Sequence, residues 1–399
     1  MKIFEINSGN YGSTGNIALN IAKTARERGH EVKVAYRKSR SVIASNDEDE
    51  VLIGSSFFGL THRIVGEYLG LEGCSSVIPT LKLIKQIKAF DPDVIHLHIL
   101  HGWYLNLPLL FSFLSKFNKK VVWTMHDCWA FTGHCPHFQL AKCDKWKTGC
   151  ENCTQYREYP YSRVDNSKFL YKLKKKYFTS ISNLTIATPS SWIADLIKFS
   201  FLSEFETKVI NNGIDLTVFK PSESDFRALN GIGDNQHSIL GVAFDWSEKK
   251  GLDVFKKLAN DLESDYKIVL IGTTEEIEAD LPENIITVRK TENKKELASI
   301  YSSADLFLNP TREDTFPTVN MEALACGTPV LTFKTGGSPE IISDECGSVV
   351  ECDDYEGLKN EVIRICKTKP YSEEACLNRA KAFDMNDKFK EYVKLYESI

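Results

Sequence analysis

The chain has 399 residues, of which 42% are hydrophobic and 26% charged. This is ordinary soluble usage, which excludes collagen-like, disordered and coiled-coil classes; since single cores stop growing near about 250–300 residues, the length predicts two domains. The net charge of −5 is unevenly spread: residues 1–207 hold 26 Lys and Arg against 19 Asp and Glu, the remainder 23 against 35, so the first half is the one suited to an anionic partner.

In chain order, charges at Lys2 and Glu5 interrupt what would be the apolar region of a signal peptide. The longest uncharged run, residues 98–115, is broken by Gly102, Asn106 and Pro108 and is too irregular for a membrane span. Neither secretion nor a spanning helix is expected, so a cytoplasmic location with at most peripheral contact at the inner face of the membrane follows. Short β-rich runs bounded by turn residues predict strands at Lys2–Asn7, Glu31–Tyr36, Asp93–His98, Lys120–His126 and Leu184–Thr188, with helices at Asn16–Arg28 and Thr80–Phe90 between them. The scheme repeats with strands at Ser238–Phe244, Lys267–Ile271, Ile285–Val288, Leu306–Asn309 and Pro329–Phe333 and helices at Leu252–Leu262, Lys294–Ser303 and Val319–Cys326. Near-continuous apolar strands suit parallel sheets covered on both faces, so the class is α/β with two doubly wound domains and a ligand cleft at the strand ends between them. The boundary is placed between residues 207 and 208, the second domain runs to 384, and residues 385–399 form a charged amphipathic helix packing back on the first.

The most informative stretch runs from Glu313-Asp314-Thr315-Phe316-Pro317 through Glu322 to Val330. It sets an acidic pair at a strand-to-helix turn, free amides at Thr318 and Val319, and a carboxylate on the helix that follows. Such amides suit an anion, and a carboxylate one or two turns on suits ribose hydroxyls; an N-capped helix with surface acids is the plainer alternative. The stretch resembles the E-x7-E motif of the retaining GT-B glycosyltransferases, the large family 4-like group of polysaccharide biosynthesis. The first acid is Asp314, one methylene shorter than the usual Glu, with Glu313 adjacent.

Further matches follow in order: Val209 to Asp215 with Phe219 and Pro221, then Ser247-Glu248-Lys249-Lys250-Gly251, then Gly336 to Glu340. The resemblance implies that Glu322 holds the ribose and Asp314 or Glu313 the sugar. It makes Lys250 the contact to the diphosphate, with Lys249 as a second positive charge where the usual Arg is replaced by Asp245. In the first domain it brings Gly15 and Asn16, in the Gly-rich turn opening at Gly9, near the donor phosphate. It also sets His126 close to the sugar's reacting carbon, where Asp127 would fix its tautomer. His96, His98 and His101 read as strand-end histidines satisfied by backbone.

Five of the 11 cysteines cluster from Cys128 to Cys153. Cys150 and Cys153, two residues apart, suit one edge of a tetrahedral thiolate site that Cys135 and Cys143 would complete, although C-x7-C-x6-C-x2-C is not a standard finger, and reduced packed thiols are the alternative. A zinc there would be structural, because four thiolates leave no open position, and the resemblance implies no metal for catalysis. Residues 168–178 are basic with interleaved aromatics, which reads as a solvated face or as contact with an anionic membrane surface; no single-strand-binding fold accompanies them, so nucleic acid is set aside. The expectation is a retaining glycosyltransferase moving a sugar from a UDP- or GDP-sugar to a glycan or lipid-linked acceptor. A nucleotide-sugar epimerase of the same fold and a non-catalytic zinc-containing glycan- or nucleotide-binding scaffold are the alternatives.

Overall fold

The computed structural model describes residues 1–37 and 49–398. The chain divides into two compact units, one formed by Met1–Asn211 with the chain from Lys388 on, the other by Asn212–Asp387. In the first, β1 (Lys2–Asn7), β2 (Glu31–Arg37), β3 (Glu50–Ile53), β4 (Val94–Leu97), β5 (Lys120–Thr124), β6 (Leu184–Thr188) and β7 (Glu206–Val209) form one parallel sheet in the order β3-β2-β1-β4-β5-β6-β7. Strands β4 and β6 are buried along their whole length, as expected where both faces are covered. Phe178, from the helix Ser167–Phe178, packs on Phe111 and Trp123 with ring centroids 4.2 and 4.9 Å apart.

In the second unit, β8 (His237–Val242), β9 (Tyr266–Ile271), β10 (Ile285–Val288), β11 (Leu306–Asn309), β12 (Val330–Phe333) and β13 (Gly347–Val350) form a second parallel sheet in the order β10-β9-β8-β11-β12-β13. Successive strand residues point to opposite faces. Leu240, Val269, Phe307 and Val330 therefore enter one core, while their neighbours Ile239, Ile268, Leu306 and Leu331 enter another. Strand order reverses between β1 and β4 and between β8 and β11, and in open α/β sheets ligands collect beyond the carboxyl ends of strands at such reversals.

The joint lies a few residues later than the sequence suggests. A cut after 207 would split β7, whose Glu206 to Val209 register against Thr185 to Thr188 of β6. The first helix begins at Gly12 rather than Asn16, so Gly15 and Asn16 lie within its opening turn. Strands β3 and β13 are additional to the sequence reading. The last helix, Met385–Glu397, starts in the second unit, where the Met385 amide donates to Ile214 O at 3.0 Å, and ends in the first. There the Tyr396 hydroxyl meets His96 Nδ1 at 2.6 Å and Thr124 Oγ1 donates to the Tyr392 hydroxyl at 3.3 Å. Among the described residues, no helix is long and apolar enough to cross a membrane.

Candidate active site

Two loops at the β8/β11 reversal carry the charged residues of the second unit. After β8 the chain turns through Glu248–Lys250, and Gly251 closes the turn at φ +76°; a Cβ there would stand 2.5 Å from Pro310 O, so glycine is required for the two loops to touch. Lys250 Nζ donates to Asp314 Oδ2 at 2.8 Å, and Lys249 Nζ stands 3.9 Å from Glu313 Oε2. The acids differ in access: the Glu313 side chain is 2% exposed and that of Asp314 22%. Asp314 is further held by the Phe316 amide, which donates to Oδ1 at 3.2 Å, and by Gly336, whose φ of +55° leaves no room for a Cβ beside Asp314 O.

Arg312, which the sequence reading missed, braces this arrangement. It is buried, donates to both Asp253 carboxylate oxygens at 2.8 Å, to Asp353 Oδ1 at 2.6 Å and to the Glu248 carbonyl at 2.6 Å, while its amide donates to Lys249 O at 2.8 Å. Its one local signal is position, a cation directly after a buried strand and before two acids. Asp245 is exposed.

The helix Thr318–Ala325 starts one residue earlier than expected, so Thr318 and Val319 are its first two positions, and no side chain caps it. Asn320 is buried and accepts from Asn309 Nδ2 at 2.7 Å, tying the helix start to the end of β11. Glu322, one turn on, accepts from the Tyr301 hydroxyl at 3.2 Å. Burial pushes its carboxyl up to about 7, against the opposing pull of the Tyr301 hydroxyl, Lys294 and the Thr318 hydroxyl. Near neutral pH, Glu322 is therefore poised between acceptor and donor.

In the first unit, His126 follows β5 and lines a pocket of about 210 Å³ with His98, His101, Asp127 and Trp129. His98 Nδ1 meets His126 Nε2 at 3.1 Å, and His98 Nε2 stands 3.5 Å from Glu5 Oε2 on β1. All three are buried; burial pushes Glu5 up to about 8 and draws His98 and His126 down to about 3, so the Glu5–His98 contact joins neutral groups rather than ions. Two expectations are corrected. Asp127 accepts from His101 Nε2 at 2.8 Å and from the Trp129 amide at 2.9 Å, so it orients His101 rather than His126. His98 and His101 belong to side-chain networks, His101 also meeting the Tyr159 hydroxyl at 2.9 Å, rather than being satisfied by backbone.

Glu5, His96 and His98 bring one donor atom each within 4.8 Å, but His96 is held by Thr124 at 2.8 Å and by Tyr396, which leaves it no free nitrogen for a metal. Gly15 is buried against the Asn10 backbone, where a Cβ would stand 2.7 Å from the Asn10 carbonyl carbon, and Asn16 is exposed on the helix.

Cys135, Cys143, Cys150 and Cys153 line one pocket of about 340 Å³ together with His134 and Trp146. Beside them the basic stretch departs from its sequence reading. In the helix Ser167–Phe178, Lys168, Lys172, Lys175 and Lys176 are exposed, but Lys174 falls on the core face with Leu170, Tyr171 and Phe178 and is fully buried. Burial draws its ammonium down to about 7, while Cys150 and Cys135 act in the opposite sense.

Residues 14–218 match the family described as Glycosyltransferase Family 4, and residues 233–383 match Glycosyl transferases group 1. WcaC of Escherichia coli (strain K12), a glycosyl transferase assigned to colanic acid biosynthesis, is 26% identical over 333 residues, 77% of each chain. Sucrose-phosphate synthase from Thermosynechococcus elongatus superimposes with a TM-score of 0.72 at 17% identity, over 99% of this chain and 98% of that one. HepE of Anabaena, solved in complex with UDP-glucose, does so with a TM-score of 0.66 at 16% identity over 100% of both chains. With one family matched across more than half of the chain and the second matched across the rest of the site, the chain belongs to glycosyltransferase family 4, and its two doubly wound units are those of the GT-B fold.

Proposed function

We propose that the protein is a retaining glycosyltransferase that moves a sugar from a UDP- or GDP-sugar to a hydroxyl of a glycan or lipid-linked glycan acceptor in surface polysaccharide biosynthesis. The observation that carries this reading is the pairing of Lys250 with Asp314 at the β8/β11 reversal, beside the uncapped helix start at Thr318 and Val319. Breaking a glycosyl–phosphate bond leaves negative charge on the departing diphosphate, and pre-placed cations and amides stabilise that charge without reorganising. Lys250, with Lys249 as second cation, takes the diphosphate. Asp314, the more open acid, takes the sugar together with Glu313, and Glu322 accepts from the ribose hydroxyls. His126, neutral at pH 7, is suited to hydrogen-bond a sugar hydroxyl rather than to carry a charge. Gly15 and Asn16 keep their assignment near the donor phosphate. The names of relatives such as WcaC, and the UDP-glucose bound by HepE, support this donor and acceptor class.

Peripheral contact with an anionic lipid surface is assigned to the exposed face of the helix Ser167–Phe178, where four lysines flank Phe169. Binding to anionic vesicles that fails even at low salt would remove this part.

The deciding experiment is a screen of UDP- and GDP-sugars for nucleotide release with and without glycan acceptors, followed by NMR of the product anomer. Acceptor-dependent release with the donor's anomeric configuration kept is the expected result. Isomerised donor without acceptor would favour an epimerase, and binding without turnover a scaffold.

A further inference from the structure

The segment between β5 and the helix Ser167–Phe178 has, as regular structure, only two single-turn 3-10 helices, at Trp129–Phe131 and Lys145–Lys147. Connections much longer than about 15 residues without structure of their own are uncommon in compact domains and need something to hold them. Here the apolar contribution is modest: Phe131 and Phe138 pack on Trp146, with ring centroids 5.3 and 5.0 Å away.

Four cysteines line the pocket beside that aromatic group. Cys150 and Cys153 are joined by a tight turn with Asn152 in the left-handed region at φ +47°, and Lys145 Nζ clamps the turn by donating to Glu151 O at 3.1 Å and Asn152 O at 2.9 Å. Backbone amides are already aimed at both sulfurs: Gly133 N donates to Cys150 Sγ at 3.1 Å, and the Gln155 amide donates to Cys153. A Cβ at Gly133 would lie 2.7 Å from the Cys150 Cβ, so the glycine permits this approach. Amide donors are the usual support of a thiolate sulfur.

A second observation is independent of the cysteines. The Lys174 ammonium is fully buried, 2.7 Å from Trp129 O, 3.1 Å from Thr132 O and 3.4 Å from the Trp129 ring centroid. Among the described residues no carboxylate lies within ion-pair distance of it, and a buried cation calls for compensating negative charge.

We propose that Cys135, Cys143, Cys150 and Cys153 hold one zinc ion in a closed four-thiolate site that staples this segment to the first unit. On binding, each thiol sheds its proton to solvent, four protons for one Zn²⁺, and the resulting cluster carries two net negative charges beside Lys174. Among the described residues no three of these sulfurs lie within 4.8 Å of one another, against the roughly 3.8 Å S–S edge that a Zn–S bond of about 2.3 Å implies. Metal binding therefore draws the four side chains inward. With no open position, the ion is structural rather than a participant in sugar transfer.

The test uses the full chain, purified without chelators or metal-affinity resin, and elemental analysis. Stoichiometric zinc is expected. Replacement by Co²⁺ is expected to give the thiolate charge-transfer and strong visible bands of tetrahedral sulfur coordination. The double variant C150S/C153S is expected to lose the metal and to become protease-sensitive between residues 125 and 166. If that variant fails to fold, the cobalt spectrum of the unaltered chain decides. Absence of zinc together with no cobalt spectrum, zinc retained by a folded double variant, or a disulfide among the four cysteines by mass spectrometry would each overturn the assignment.

Discussion

Lys250 Nζ and Asp314 Oδ2 are 2.8 Å apart, one from the loop after β8 and the other from the loop after β11. In the proposed reaction this cation and this acid serve opposite ends of the donor, the diphosphate and the sugar. The contact is partly exposed, with the Lys250 and Asp314 side chains 34% and 22% accessible, so water screens it and a phosphate can compete for the ammonium. Lys250→Ala is expected to lower turnover by at least about tenfold, equivalent to roughly 1.4 kcal/mol of transition-state stabilisation, with folding intact. Steady-state kinetics with saturating donor check it, and wild-type turnover would refute the assignment.

Gly336→Ala is expected to abolish most activity without contacting any substrate. Its Cβ would meet the carbonyl oxygen of Asp314 at 1.7 Å, and its φ of +55° disfavours any side chain, so the acidic loop must move. A crystal structure showing Asp314 undisplaced in an inactive variant would contradict this explanation.

Arg312→Met is expected to destabilise the second unit by about 1–3 kcal/mol, chiefly through loss of the bonds to the Glu248 carbonyl and to Asp253, since the two carboxylates are half exposed and regain water. Because Arg312 anchors the turn that presents Lys249 and Lys250, the Michaelis constant for donor should rise as well. Urea unfolding and donor titration measure the two effects separately.

Glu322 supplies a pH dependence. With its carboxyl raised to about 7, lowering the pH from 8 to 6 converts it from mostly ionised to mostly protonated, removing an acceptor for ribose hydroxyls. The Michaelis constant for donor is expected to rise by up to about tenfold over that interval, and Glu322→Gln should show a high, pH-independent value. A flat profile in the unaltered enzyme would count against the ribose role.

Glu5 supplies another, read in stability. Its folded pKa of about 8 lies above the unfolded value near 4.5, so between those limits the folded state binds more protons and stability falls as pH rises. The lowered values of His98 and His126 act oppositely, but only below about 6.5. From pH 6.5 to 8 Glu322, raised to about 7, acts with Glu5 and Lys174, drawn down to about 7, acts against it, so the Glu5 part, up to about 1.4 kcal/mol per pH unit, is read as a difference between the unaltered chain and a Glu5 variant. Glu5→Gln is expected to make the pH slope of the urea midpoint more positive across that range; an unchanged slope would exclude Glu5 as a contributor.

Strands that bury both faces announce themselves by composition, and β9, β10 and β11 lie within a residue of their sequence positions. β7 was legible only at its end, where Val209 to Gly213 closes a strand in a turn, because its residues, Glu-Thr-Lys-Val, are those of a half-exposed edge strand. β13 offers only two apolar residues after Gly347-Ser348. Lys250 and Glu322 were singled out by the family resemblance, and the structure gives them contacts with Asp314 and Tyr301, whereas Arg312 finds its partner Asp253 59 positions away and the His98–His126 contact joins neighbouring strands 28 positions apart. Lys174 was legible in principle. The interval of three and four residues that links Leu170, Tyr171, Lys174 and Phe178 marks one helix face, and counting it as one more surface charge ignored that period.

The last helix carries a consequence for how the protein is made. The chain leaves the first unit at Asn211 and returns to it only from Lys388 on, bringing Tyr392 to Thr124 and Tyr396 to His96. Multidomain chains ordinarily complete their N-terminal domain while the rest is still being synthesised. Here residues 388–398 must be synthesised before His96 on β4 and Thr124 on β5 receive these partners. The first unit is therefore completed by residues more than 170 positions beyond its last strand, and a nascent chain that stops short of Lys388 leaves His96 and Thr124 without these two tyrosines.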